Sequence, residues 1–423
     1  MADLGRLVNI ISADATEFQK GVGAAKKAAG DFQRETTGSF GAVQRAAGQM
    51  GLAVAGVAIA GAFAASISAA TTFEKTMSGV KAVSGATADE MKQLSGLALQ
   101  LGKDTVFSAA ESAKGLEELV KGGVSIADIM GGAAKASLNL AAAGGIDLAS
   151  AAEIAANAMN MFGLKGSDMA HVSDLIAGAA NASSLSVTDF KLSLAMSGAV
   201  AKLAGQSFDD LAQAIAVMGA QGIKGSDAGT SLKTMLMNLQ PSTDKAMETM
   251  RELGIVTATG ANRFFDAAGK AKGMRDIAEI LSKAMQGLTD QQKLASLEIM
   301  FGSDAIRAAG ILATAGAAGF DTMAASMAKV TAESVAAERL NNFAGAMEQL
   351  KGSLETVAVM VGMAFMPAMK RMADGLTSAV NASMPWIEET IPKMLAAWDD
   401  LGKTSAQMQL ALLGLISKKD AML

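Results

Sequence analysis

The stretch GAQGIKGSDAGTSLKTMLMNLQP, from Gly219 to Pro241, predicts two helices joined by a glycine-containing turn. Gly222 and Gly225 can adopt positive φ without the penalty that a Cβ carries, so the backbone can turn sharply at these positions. The hydroxyl of Ser226 is placed to cap the second helix. Pro241 cannot continue a helix and is expected to end it. These four residues form the predicted structural turn.

Helix starts recur on both sides of this turn. The predicted capping residues, most of them followed three residues later by Asp or Glu, are Thr87, Ser108, Ser125, Asp147, Ser167, Ser186 and Ser207. Successive starts are 17 to 22 residues apart, which leaves helices of about 12–16 residues with short turns. Short turns make consecutive helices antiparallel. Residues 73–310 are therefore predicted to form an all-α array of short antiparallel helical hairpins, with units too dissimilar for a named solenoid repeat.

Several separated segments resemble the core domain of phage tail tape measure proteins. In chain order they are FEKTMSGVKAVSGAT (Phe73–Thr87), LNLAAAGGIDLASAAEIAANAMNMFGL (Leu138–Leu164), GIKGSDAGTSLKTMLMNLQP (Gly222–Pro241) and LEIMFGSDAIRAAGIL (Leu297–Leu312). The resemblance covers residues 73–310, just over half of the chain. Several matches in the right order are a more specific signal than one short motif.

The resemblance implies a structural virion protein, with no enzymatic activity and no cofactor. Such proteins extend in several copies through the lumen of the tail tube during assembly, and their length sets where tube polymerisation stops. They leave the tail when DNA is delivered, with contact at the host inner membrane. The implied partners are copies of the chain itself (a homo-oligomer) and the tail tube, tail tip and tail assembly chaperone proteins. Synthesis in the host cytoplasm is expected.

The composition favours helix and excludes several functions. Hydrophobic residues make up 51% of the chain and aromatic residues only 4%, so the apolar mass is largely Ala, Leu, Val, Ile and 29 Met. Cys is absent, which excludes disulfides, thiolate nucleophiles and zinc–thiolate sites. The net charge of -5 is dispersed and predicts no specific nucleic-acid binding. MADLGRLVNI at the N-terminus does not have the pattern of a signal peptide.

Candidate catalytic groups all have structural interpretations. His171 is the single histidine and cannot form a usual zinc site without Cys. The glycines before Ser226 lack the Gly-Lys-Ser/Thr order of a phosphate loop. The adjacent acidic residues Glu117 and Glu118 point to different sides of a helix, as on a solvated face. A glutamate-dependent cell-wall hydrolase is the remaining enzymatic alternative, although no Tyr and two Trp leave little for stacking on sugars.

The N-terminal regions are predicted to differ from the array. Residues 1–45 hold a short strand at 4–12 and a basic helix that begins after Asp14. Residues 46–72 form an uncharged apolar helix, long enough to span a membrane. Burial among other helices and entry into a bilayer both explain a helix that is apolar on all sides. The residues predicted for this membrane or buried face are Leu52, Val57, Ile59, Phe63 and Ile67.

The C-terminal region, residues 311–423, is predicted to contain a long helix followed by shorter ones separated by Pro367, Pro385 and Pro392. Apolar residues of the long helix recur at alternating steps of three and four residues, the heptad pattern of a coiled coil. The predicted self-association residues are Leu340, Phe343, Met347, Leu350, Leu354, Val357 and Val361. Because the family is implied to work as several copies, we expect parallel association as a trimer, a single-chain helical bundle being the alternative.

Overall fold

The computed structural model describes the backbone of residues 56–420, and side chains from residue 63 with gaps after residue 378. Within this range the fold is all-α, as predicted, and no strand occurs; two isolated bridges lie in the loop at 254–273. The predicted strand at 4–12 lies outside the described residues. The helices are α1 (Gly56–Ser84), α2 (Ala88–Asp104), α3 (Ala109–Lys121), α4 (Ala134–Gly144), α5 (Leu148–Phe162), α6 (Met169–Ala182), α7 (Val187–Leu203), α8 (Phe208–Ala220), α9 (Gly225–Met237), α10 (Asp244–Glu252), α11 (Met274–Ala284), α12 (Asp290–Phe301), α13 (Ile306–Met327), α14 (Ala332–Leu340) and α15 (Phe343–Asp420).

The chain divides into two compact units. The larger unit comprises Thr71–Val359, and the smaller one joins the residues up to Ala70 with those from Met360 onward. The expected boundary at residue 72 lies inside a continuous helix, since α1 runs from Gly56 to Ser84. The larger unit also extends past residue 310, so α13, α14 and the start of α15 belong with the array.

Four helices of the larger unit recur at a nearly constant interval. The helices α3, α5, α7 and α9 begin at residues 109, 148, 187 and 225, which are steps of 39, 39 and 38 residues. The helices α4, α6 and α8 alternate with them along the chain. The array is therefore a repeat of helix pairs, which the sequence analysis missed because the repeating units differ in residue identity.

Successive odd-numbered helices of the array run parallel. Near the start of α7, Lys191 Nζ lies 2.7 Å from Glu153 Oε2 in the first half of α5. At the end of α7, Lys202 Nζ donates a 2.7 Å hydrogen bond to the carbonyl of Phe162, the last residue of α5. Because the start of α7 lies beside the start of α5 and the two ends also lie together, the two helices run in the same direction. The intervening helix returns the chain, so antiparallel order applies to consecutive helices and parallel order to alternate ones.

Capping boxes begin six of the 15 helices named above. Among the predicted starts, complete boxes, in which the capping side chain and the third helical residue bond each other's backbone amides, occur at Thr87, Ser108, Ser186 and Ser207. Ser125 caps a single helical turn, Ile126–Asp128, and Asp147 caps α5, each through its side chain alone. Six of the predicted starts thus coincide with real helix starts, because this signal depends only on residues within one turn.

Two predicted caps are wrong. Ser167 lies within a single 3₁₀ turn, and α6 begins after it at Met169. Ser226 is already inside α9, which begins at Gly225 with Lys224 at the capping position and no side-chain capping bond. The glycine turn itself is as predicted: φ is +83° at Gly222 and +57° at Gly225. Positive φ at Gly225 lets the helix start one residue before the serine.

The end of α9 precedes the predicted terminator. The last helical residue is Met237, and Asn238 follows at the C-terminal cap. Asn238 donates to the carbonyl of Thr234 twice, from its backbone amide at 3.2 Å and from Nδ2 at 3.1 Å, and so closes the last turn. Pro241 lies three residues beyond this cap, where it prevents continuation but does not itself end the helix.

The C-terminal helix is continuous through its prolines, contrary to prediction. It runs from Phe343 to Asp420, 78 residues, and includes Pro367, Pro385 and Pro392. All three prolines are exposed. On an exposed face, the carbonyl that loses its amide partner to a proline can bond to water instead, so the helix can bend without ending.

The heptad pattern begins one step later than predicted. Leu340 is the last residue of α14, and a turn at residues 341–342 separates it from α15. Asn342 Oδ1 accepts a 2.9 Å hydrogen bond from the amide of Gly345, which caps the new helix. On a single helix, the heptad pattern of apolar residues therefore starts at Phe343.

The positive φ of Gly225 gives a stability prediction. Gly225→Ala is expected to lower the free energy of unfolding by about 1–2 kcal/mol, because a Cβ strains this backbone region. Steric overlap does not contribute, since the nearest atom to an added Cβ is 3.6 Å away. The matched control is Gly96→Ala, at an exposed helical site with open space, which should raise stability by about 0.5–1 kcal/mol. Urea unfolding of both variants measures the difference; equal shifts in the same direction would contradict the strain.

The contrast between Ser186, which caps a helix, and Ser226, which does not, gives a second prediction. Ser186→Ala should lower the free energy of unfolding by about 1 kcal/mol, whereas Ser226→Ala should change it by less than about 0.5 kcal/mol, because only Ser186 caps. Hydrogen bonds from Ser186, first from its backbone and then from its side chain, lower the pKa of Asp189. The stability contributed by Asp189 is thus present above its unfolded pKa, about 3.9, and is lost as pH falls through the lower folded pKa.

Loss of the Ser186 hydroxyl should raise the folded pKa of Asp189 toward its ordinary value. The unfolding free energy of Ser186→Ala should then fall less between pH 5 and pH 3 than that of the wild type or Ser226→Ala. Urea titrations at both pH values measure this. Parallel losses in all three proteins would show that the hydroxyl does not set the pKa.

Candidate interaction surfaces

Two of the segments that carry the family resemblance contact each other in the structure. Ser231 in α9 is fully buried, and its Oγ donates to the carbonyl of Asp304 at 2.8 Å and accepts from the amide of Ala308 at 3.0 Å. Asn238 Nδ2 donates to the carbonyl of Phe301 at 2.9 Å. These bonds join α9 and its C-terminal cap to the end of α12, the turn that follows it and the start of α13. The residues of both segments are thus placed for packing.

Gly225, at the helical end of the glycine turn, is buried inside the protein, whereas Gly222 is exposed. The carbonyl of Gly225 accepts a 2.8 Å hydrogen bond from Ser193 Oγ in α7. One turn later, a Cβ on Gly229 would lie 2.5 Å from the carbonyl oxygen of Ser193 and 2.7 Å from Met196 Cβ. Such a close approach requires glycine, so this stretch joins two parallel helices. The positions of Gly222 and Gly225 support the structural role predicted for them.

The candidate catalytic groups take part in polar contacts at the surface. His171 Nε2 lies 3.0 Å from Asp209 Oδ1, with both side chains about half exposed, and this pair joins α6 to α8. Glu117 and Glu118 both contact Lys121 Nζ, at 2.8 and 3.0 Å. Over the described residues, no group of three His, Asp or Glu side chains is arranged to hold a metal ion. Exposed pairs of this kind contribute little to stability.

The predicted self-association residues on α15 face outward. Phe343 is 82% exposed. The others are half exposed or half-buried: Met347, Leu350, Leu354, Val357 and Val361. On the opposite side Gly352 approaches the carbonyls at the end of α2, and Ser353 Oγ donates to the carbonyl of Lys103 at 3.0 Å. The start of α15 therefore rests on its small residues and presents its large apolar residues to the surface.

Only part of the predicted membrane or buried face is described. Leu52 lies outside the described residues, and Val57 and Ile59 lie in α1 at positions whose side chains are not described. Phe63 and Ile67 are half-buried. These five residues therefore remain a prediction as a set.

One end of that face has a protein neighbour within the smaller unit. The rings of Phe63 and Phe365 pack edge to face, with centroids 5.0 Å apart and planes at 89°. A Cβ on Gly362 would overlap the carbonyl of Ser66, so the backbones of α1 and α15 come close together. Burial against protein accounts for this part of α1.

The sequence analysis missed an exposed apolar face on α7. Leu192, Met196 and Leu203 are 44%, 39% and 88% exposed, and Met237 at the end of α9 is 64% exposed. Residues such as Phe190 on the other side of α7 are fully buried. Because α7 is apolar on both sides, its periodicity alone does not distinguish the inner face from the outer one.

Comparison with known proteins agrees with the resemblance seen in the sequence. The profile of the phage-related minor tail protein family matches residues 95–302. The chain is 30% identical over 392 residues, 90% of its length, to a tape measure protein of Pneumococcus phage Dp-1. It covers 33% of that protein, so the chain spans one third of the length of this relative. No solved structure matches the chain.

Proposed function

The chain belongs to the phage tail tape measure proteins, and we propose that it sets tail length by extending through the lumen of the tail tube while the tube polymerises around it. Its role in the tail is structural. Length setting and release during genome delivery are the further parts of the proposal. The tape measure protein of Pneumococcus phage Dp-1 is about three times as long as this chain. The chain would therefore supply only part of the length that such a protein sets.

The observation that carries this proposal is the length of α15. Its 78 residues form one helix, which at 1.5 Å per residue rises about 117 Å. A helix relates residue number to distance linearly. The folded array gains less distance per residue, because its consecutive helices run in opposite directions. We therefore assign length measurement to α15 and assembly contacts to the array.

Self-association through α15 is the second part of the proposal. Large apolar residues from Phe343 to Val361 follow a heptad spacing and are exposed along the described surface. Burying such a seam between parallel copies would remove apolar area from water. The mixture of Phe, Met, Leu and Val does not select two strands over three. We propose a trimer, with the tail tube and tail tip as further contacts and a tail assembly chaperone covering the seam before assembly.

A change in helix length tests the measuring role. Removal of residues 372–399, which are 28 residues or four heptads of α15, should shorten the tail of the phage that encodes the chain by about 42 Å. Duplication of the same residues should lengthen it equally. Tail lengths in electron micrographs measure both changes, and the duplication controls for loss of a contact within the deleted part. An unchanged tail length in both variants would exclude α15 from the measure.

A charge in the seam tests self-association. Leu350→Asp should abolish oligomers of the full chain, because a carboxylate in a dry seam costs several kcal/mol unless it is paired. Leu350 is 49% exposed, so the fold of a single chain should persist. The matched control is Leu294→Asp, at a leucine of α12 that is 56% exposed and lies off the seam. Sedimentation equilibrium measures both; a wild-type monomer at tens of micromolar would contradict the proposed trimer.

Action at the host inner membrane is the alternative function. Among the described helices, one segment, Phe343–Ala382, is long and apolar enough to cross a membrane, with a third of its most apolar window buried. The uncharged residues 46–72 are a further candidate. Flotation of the chain with liposomes distinguishes this alternative, which predicts cofloating protein that Leu350→Asp reduces.

A further inference from the structure

The outer face of α7 differs from the same face of the other repeats. The steps of 39, 39 and 38 residues align α7 with α3, α5 and α9 position by position. At the positions of Leu192 and Met196 the other three repeats are all polar, with Lys114 and Glu118, Glu153 and Asn157, and Thr230 and Thr234. The repeat therefore does not require apolar residues there. In α7, Leu192 and Met196 lie beside Gly225 and Gly229 of α9 and still leave 44% and 39% of their surface exposed.

The spacing of this face matches a helix as its partner. Along α7, the outward residues Leu192, Met196, Ala199 and Leu203 follow steps of four, three and four residues. These steps give an apolar stripe that rises about 16 Å, three turns of helix, and Met237 of α9 lies at the same end as Leu203. A second helix can lay its own apolar stripe along such a surface. Methionine side chains adapt to the shape of the partner.

Two lysines lie near the C-terminal half of the stripe. Lys202 precedes Leu203, and its Nζ donates to the carbonyl of Phe162 in α5. Lys233 in α9 lies one turn after Gly229, whose backbone approaches Met196. No Asp or Glu occurs in α7 after Asp189 or in α9 after Asp227. Two copies of this face would bring lysines together, which disfavours pairing of the face with itself. Carboxylates along the edges of a partner helix would complement it.

We propose that Leu192, Met196, Ala199 and Leu203 of α7, with Met237 of α9, form a docking surface for an amphipathic helix of a partner protein that carries carboxylates beside its apolar stripe. Exposed apolar residues grouped in this way mark interaction sites. The stripe supplies buried area at the centre, and the lysines select an acidic partner over a basic one. The surface lies on α7 and α9 of the array.

Two matched peptides test the proposal on the full chain. Both are synthetic helices with leucines at heptad positions; one carries Glu at the flanking positions and the other Lys. Fluorescence anisotropy of the labelled peptides should show saturable binding of the Glu peptide, at least about tenfold tighter than the Lys peptide, and weaker at higher salt. No saturable binding of the Glu peptide, or equal binding of both peptides, would overturn the proposal.

A variant locates the binding. Leu203→Glu should weaken the Glu peptide at least about tenfold, and because Leu203 is 88% exposed the fold should persist in circular dichroism. Leu294→Glu, at the exposed leucine of α12, is the control and should bind as the wild type does. Unchanged affinity in Leu203→Glu would overturn the proposal. Concentration-dependent dimers of the chain alone that Leu203→Glu dissociates would also overturn it, since the face would then join two copies.

Discussion

The close parallel approach of α3, α5, α7 and α9 is the constraint on which the larger unit depends. At two of the three steps a glycine admits the neighbouring helix: Gly115 faces Leu148, and Gly229 faces the backbone of Ser193. A larger side chain at either glycine would separate the helices. Because these contacts fix the spacing of the odd-numbered helices, they also fix where α4, α6 and α8 return the chain and which residues of α7 remain outside.

Local chemistry was predictable from the sequence, and spatial repetition was not. The capping box at Ser186 was predictable because its partner Asp189 is three residues away. The absence of a cap at Ser226 was not predictable, since the start of α9 depends on the φ of Gly225. The 39-residue period was missed because the helices recur at this interval while the residue types at equivalent positions differ. Leu192 occupies the place that Lys114 occupies two repeats earlier.

The candidate interaction surfaces divide in the same way. The apolar stripe on α15 was predictable from periodicity, because its large residues lie on one side and its small residues on the other. Its start was misplaced at Leu340, since the capping bond of Asn342 was not recognised as a helix boundary. The face of α7 required the structure. Only burial shows that Phe190 points inward and Leu192 outward, because both are large and apolar.

The prolines of α15 have a geometric consequence. Pro367, Pro385 and Pro392 are 18 and 7 residues apart, which are five turns and nearly two turns of an α-helix, so all three lie on one side. A proline opens the helix on its own side and bends the axis away from it. Because the three prolines lie on one side, the bends that they favour add up instead of cancelling. Bending of α15 at these prolines would therefore be in one direction, with the prolines on the convex edge, and a rod that bends in one direction has, unlike a straight one, a defined direction about its own axis.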